Sequence, residues 1–166
     1  SLRGRPLFAL EISDAPGNAA FKPVVRITGA HHGDETVSTD IALGAASALL
    51  EPEASDLRSF FSFWVIPVVN PDGYSARTRV NDAGADLNRD YGFFWDEATA
   101  PFSQPETRAQ WELAWHFPPF LSLDYHSAAE YVNTVYDGTS VRAPDIGVIL
   151  ELGEIYAGPA RLEVTV

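Results

Sequence analysis

The sequence predicts an α/β protein, a single domain over residues 1–166 built on a mixed, mostly parallel twisted sheet flanked by helices, with its site at the carboxyl ends of the strands. Three observations lead there. Short β-branched or aromatic runs alternate with helical stretches along the chain. Two of those runs are followed within a few residues by histidines, and the carboxyl ends of strands are where open α/β sheets bind ligands. A hydrophobic content of 46% in 166 residues, with no repeat or convincing linker, suits one soluble core.

Taken in order, Leu7-Phe8-Ala9-Leu10-Glu11-Ile12 reads as a first strand, ended by the turn residues Ser13 to Asn18. Pro23-Val24-Val25-Arg26-Ile27-Thr28 is a short buried strand. Thr36 to Leu50 is rich in Ala and Leu and nearly free of charge, a helix packed on a sheet, and Pro52 stops it within the loop 51–56. Phe60 to Val69 reads as another buried strand running into the turn Asn70-Pro71-Asp72-Gly73. Arg77 to Tyr91 is a polar loop holding Arg77, Arg79, Asn81, Asp82, Asp86, Asn88, Arg89 and Asp90; a loop of that length in a compact domain is usually functional or disordered, and the clustered arginines favour function.

Ser103-Gln104-Pro105-Glu106 opens a helix from Thr107 to about His116, ended by Pro118-Pro119. Trp111 and Trp115 share one face of it and read as core. His116 is explained as a favourable charge near the helix C-terminus. Phe120 to Tyr125 reads as a strand, the third after the two buried ones at 23–28 and 60–69, and delivers His126 and Ser127. Tyr131 to Tyr136 reads as a further strand before the turn Asp137-Gly138. Gly147 to Gly153 reads as a buried strand carrying one acid, Glu151, and Leu162, Val164 and Val166 alternate as a last half-exposed strand.

Composition removes several chemistries. With no Cys there is no disulfide, thiolate nucleophile or Cys-held metal. A formal charge of −12 argues against nucleic acid or an anionic membrane as partner, and no apolar run approaches the roughly 20 residues of a membrane span. The chain opens on Ser1 rather than Met, as a processed form or a fragment would, and no signal peptide is read at its start.

Gly29-Ala30-His31-His32-Gly33-Asp34-Glu35 links the second strand to the Ala-rich helix. A catalytic zinc takes three nitrogen or oxygen ligands and keeps one position open. His32 and Glu35 offer two, and His126, leaving a parallel strand, offers the third. The bland reading of this stretch is a polar loop in which Asp34 caps the helix. Glu151 stands out because an acid inside an apolar strand is costly unless paired or functional.

His32-Gly33-Asp34-Glu35, Asn70-Pro71-Asp72-Gly73-Tyr74, Asp86-Leu87-Asn88-Arg89, Gln104-Pro105-Glu106-Thr107, His126-Ser127 and Glu151-Leu152-Gly153 together resemble the ordered motif set of the zinc metallocarboxypeptidases. The opening Gly4-Arg5-Pro6-Leu7 and Glu11 to Gly17 are similar to the regulatory, carboxypeptidase N/E-like branch. The resemblance implies one zinc per chain on His32, Glu35 and His126, and prefers His32 to His31 by motif spacing. It implies Glu151 as general base and Arg79 as the residue that polarises the scissile carbonyl. Asn88 and Arg89 would grip the substrate's terminal carboxylate, and Asp86 would hydrogen-bond His32. Between Asp137 and Gly147 the chain is shorter than the family pattern, and no residue matches the family's mobile tyrosine.

The activity so implied is zinc-dependent hydrolysis of a C-terminal peptide bond, with a peptide or small amide bearing a free C-terminal carboxylate as partner. Two alternatives stand beside it: an amidohydrolase on N-acyl amino acids, like aspartoacylase and succinylglutamate desuccinylase, and an inactive zinc-retaining binding module. The family leans towards a secreted or periplasmic location, and the sequence itself leaves the compartment open.

Overall fold

Short apolar runs, β-branched in Val24–Thr28 and aromatic or leucine-bearing elsewhere, build the main sheet in the computed structural model, which describes residues 1–17, 22–92, 100–127, 131–134, 143–160 and 162–165. The described residues fall into two compact units, Ser1–Ser127 and Ala128–Val166. In the first unit, β1 (Leu10–Ile12), β2 (Val24–Thr28), β3 (Ser62–Ile66) and β4 (Pro119–Asp124) form one sheet in the order β1-β3-β2-β4. β2 pairs in parallel with both β3 and β4, and β1 adds antiparallel to β3. This is the mixed, mostly parallel sheet that the alternation of apolar runs and helices predicts.

Side chains alternate across the sheet. Val25, Ile27, Phe63 and Val65 face Ala42, Ala46 and Leu49 of α1 (Thr36–Leu50), and this cluster is the main core. On the other face Trp64 stacks on Phe117, which follows α4 (Pro105–His116), with ring centroids 4.9 Å apart. A smaller cluster of Ile66, Val69 and Leu87 packs with Leu113 of α4. Glu51 accepts a hydrogen bond from Arg58 at 2.7 Å, so the end of α1 is closed by a guanidinium as well as by Pro52.

Several sequence expectations change. Residues 51–60 are not loop and strand: a 3-10 turn leads into the short helix α2 (Ser55–Phe60), so β3 starts at Ser62. The turn at Asn70 initiates α3 (Pro71–Ala76), because the Asn70 side chain accepts from the Gly73 N–H and Pro71 fits the first helical turn. Trp111 and Trp115 are exposed, 44% and 72%, and lie against each other rather than in the core. The helix α1 is not capped by Asp34; its N-cap is Glu35, whose carboxylate is engaged elsewhere.

The second unit holds β5 (Tyr131–Asn133) and β6 (Glu163–Thr165), paired in parallel and joined by α5 (Ile146–Ala160). The stretch Gly147–Gly153 is therefore helix, not strand. Gly153 and Ala157, four apart, are the buried residues of its face, and a Cβ on Gly153 would come 3.2 Å from Val164. The expected turn at Asp137-Gly138 lies outside the described residues. Among the described residues no helix is long and apolar enough to cross a membrane.

Candidate metal centre at the strand ends

Because β2 and β4 run parallel and adjacent, their carboxyl ends share one edge, and the residues that follow each strand meet there. The exit of β2 is knitted to that of β3: Val69 N–H donates to the Gly29 carbonyl at 3.0 Å and Asn70 N–H to that of Ala30 at 2.9 Å. Ala30 takes a left-handed backbone, φ 49°, a conformation that costs a non-glycine residue of order 1–3 kcal/mol. Its N–H is held at 2.9 Å by the buried Ser38 hydroxyl, so α1 itself supports the turn. Gly33 is required by close approach, since a Cβ there would sit 2.0 Å from the Gly73 backbone.

These contacts aim His32 and Glu35 at His126. One nitrogen or oxygen from each of the three lies within 4.8 Å of the others. The Glu35 carboxylate spans both rings, with Oε1 2.8 Å from His32 Nδ1 and Oε2 2.9 Å from His126 Nδ1. Ser127 N–H donates to Oε2 at 3.0 Å, which gives the His126-Ser127 pair a physical meaning. Burial would raise the Glu35 pKa, but the Ser127 N–H and the two imidazoles outweigh it and hold the carboxyl below its ordinary value.

Asp86 reaches the far side of His32, its Oδ1 3.1 Å from Nε2. The other Asp86 oxygen takes a fork from Arg79, Nε at 3.0 Å and Nη2 at 2.9 Å. Burial acts to raise Asp86, and the charges of His32 and Arg79 more than offset it, leaving the pKa lowered. Arg79 Nη1 also comes 3.3 Å from His32 Nδ1 and 3.8 Å from Glu35 Oε1, so the guanidinium borders the cluster. A 3-10 turn, Leu87–Arg89, follows Asp86, which accepts the Asn88 N–H at 2.9 Å. Asn88 is half-buried and Arg89 exposed.

His31 is buried beside the cluster, stacked at 5.8 Å on His126 with Nε2 2.8 Å from the Tyr91 hydroxyl. Burial pushes its imidazole down to about 4 and the Tyr91 hydroxyl up. Asn70 lies behind both loops; its amide meets the carbonyls of His31 and Arg79, each at 3.4 Å. The Asn70-Pro71 pair signalled a turn in the sequence, but not that it would splice these loops.

Glu151 lies on α5, in the second unit, with its side chain exposed. The buried strand that singled it out does not exist, and the cost of a buried charge no longer argues for a role.

The donor set suits zinc: two imidazole nitrogens and one carboxylate oxygen, with the second nitrogen of one ring fixed by an acid. Residues 1–164 match the zinc carboxypeptidase family. Carboxypeptidase SOL1 of Arabidopsis thaliana is 33% identical over 97% of this chain, and carboxypeptidase D of Mus musculus 30% identical over 95%. The chain spans 35% of the first and 13% of the second. Carboxypeptidase A from Helicoverpa armigera, 27% identical, superposes with a TM-score of 0.85 over 95% of this chain and 46% of its own. Thrombin activatable fibrinolysis inhibitor shares the fold, at 20% identity, a TM-score of 0.84, and coverage of 99% of this chain and 51% of its own.

Proposed function

The chain belongs to the zinc carboxypeptidase family, and from that premise we propose that it hydrolyses the C-terminal peptide bond of peptides with one zinc held by His32, Glu35 and His126. We read residues 1–166 as parts of one catalytic domain, since the family match runs through 1–164. The observation that carries the reading is the convergence of two imidazoles and an acid at adjacent strand ends, one ring being held from behind by Asp86. Zinc bound there would lower the pKa of a coordinated water towards about 7 and polarise a carbonyl.

The chain's own residues set the rest. Asp86 fixes which nitrogen of His32 faces Glu35, and losing such a partner typically costs about 10–100-fold in affinity or activity. Arg79, forked on Asp86 beside the cluster, supports charge developing on the scissile carbonyl oxygen. Asn88 and Arg89 grip the terminal carboxylate, for which a guanidinium fork is better suited than an ammonium. Glu151, which the motif order implies as general base, lies exposed on α5, and its part in proton transfer is decided by the Glu151→Gln variant.

The test pairs a peptide that has a free C-terminus with its C-terminal amide. Hydrolysis of the first should be abolished by a chelator and restored by zinc. Arg89→Ala should raise KM for the free acid about 10–100-fold, the equivalent of a charged hydrogen bond of about 1.5–3 kcal/mol, and change little for the amide. Equal losses on both would overturn the carboxylate grip.

The exposed placement of Glu151 favours a second reading, a zinc-retaining binding module. One zinc per chain with no turnover on peptides or N-acyl amino acids would select it. Turnover confined to the N-acyl amino acids would select the amidohydrolase.

A further inference from the structure

Asn81 lies two residues after Arg79, early in the loop that also carries Asp86, Asn88 and Arg89, is 4% exposed, and has no part in the roles assigned above. Its side chain uses its full hydrogen-bonding capacity. Oδ1 accepts the N–H groups of Ala83 and Ala85, each at 3.0 Å, which closes the 81–85 turn together with the backbone bonds Asn81 N–H to Ala85 and Gly84 N–H to Asn81. Gly84, at φ 76°, supplies the left-handed residue that this turn needs. Nδ2 points the other way and donates to Gln104 Oε1 at 2.8 Å and to Glu106 Oε2 at 3.3 Å.

Gln104 and Glu106 lie at the N-terminus of α4, and Glu106 is fully buried. A second clamp acts at the loop's far end. Asp90 accepts the N–H groups of Ser103 and Gln104 and the hydroxyls of Ser103 and Thr107, capping α4 from outside the helix. The loop is thus bolted to one helix start at both ends, and Asn81 is the bolt two residues from Arg79.

Resting on the carboxypeptidase reading, we propose that Asn81 is a positioning residue, holding the substrate-gripping segment 86–89 and Arg79 in register through its amide link to Glu106 and Gln104. Asn81→Asp is the discriminating variant. It keeps the oxygen that closes the turn but sets an acid against Glu106 and the Gln104 carbonyl oxygen. Adding Glu106→Gln reverses the polarity of the link and restores a donor, and the Gln104 amide can turn to donate as well. Gln104→Ala, at a half-buried side chain, is a milder variant for use if Asn81→Asp does not fold.

In zinc-saturated chain, shown folded by circular dichroism at the assay temperature, Asn81→Asp should raise KM for a free-carboxylate peptide tenfold or more. That approaches the roughly 10²-fold cost of a 1 Å misplacement. The double variant should recover most of the loss. Amide exchange at Ala83, Ala85 and Asn88 should speed up in the single variant and slow again in the double. A KM within twofold of wild type in the folded single variant, or no recovery in the double, overturns the proposal. Should wild type hydrolyse no peptide, the function reading fails while exchange still decides this one: unchanged exchange in Asn81→Asp sinks it, and faster exchange reversed by Glu106→Gln supports it.

Discussion

At the carboxyl ends of β2 and β4 each functional atom is held by several partners, whereas α5 carries its acid on an open face. Glu35 is reached by two imidazoles and a backbone N–H; Glu151 is exposed on a helix. Both acids stand out in the sequence, and each falls in a motif of the same family. The difference teaches that the two acids rest on different grounds: the surroundings of Glu35 argue its role, and that of Glu151 rests on motif order.

Removing Glu35 should break this contrast most sharply. Glu35→Ala takes away one of three ligands and the acceptor that aligns both rings, so zinc affinity should fall by more than about 10²-fold, beyond the loss typical of an outer partner. Competition against a chromogenic chelator measures it. Undiminished binding at one zinc per chain would separate the cluster from the metal.

The parts of the site legible in the sequence were those set by strand periodicity. His32 follows a β-branched run and His126 an aromatic and leucine-bearing one, and parallel pairing makes their approach a consequence of topology. Less legible were contacts that depend on loop closure: Asn70 joining two loops, Asn81 and Asp90 clamping α4, Tyr91 on buried His31. Nothing in a local window says where a polar loop folds back. Residues 147–153 misled for another reason. A seven-residue apolar run fits a buried strand or a helix face equally, and only the longer window to Ala157 shows small residues four apart. Residues 55–60 misled similarly, because Phe60 and Phe61 extended a strand pattern across a helix end.

A smaller effect sharpens the comparison through pH. Burial would raise the Asp90 carboxyl, but Thr107, the Gln104 N–H and Ser103 together hold it below its ordinary value. A carboxyl lowered by folding adds stability that is present above its unfolded pKa, about 3.9, and is lost as pH falls through the folded value. Thr107→Val should therefore cost about 1.5–3 kcal/mol near pH 7 in urea unfolding, the range for a hydrogen bond to a charged group. The gap from wild type should narrow as the pH falls below the ordinary carboxylate range. A gap that stays constant with pH would mean that Thr107 acts through packing alone.

The smallest effect is expected at Glu151, and it tests the comparison from the other side. An exposed acid on a helix face contributes little to stability, so Glu151→Gln should change it by no more than about 0.5 kcal/mol. It should also leave zinc affinity unchanged and kcat within about threefold of wild type, the effect of neutralising an exposed acid that takes no part in proton transfer. A positioned general base is instead worth roughly 10²–10⁴ in rate. A loss of that size, with zinc still bound and the fold intact, would show that motif order had located the base despite its solvated position on α5. A chain that binds zinc, hydrolyses peptides and tolerates Glu151→Gln would assign proton transfer to another group.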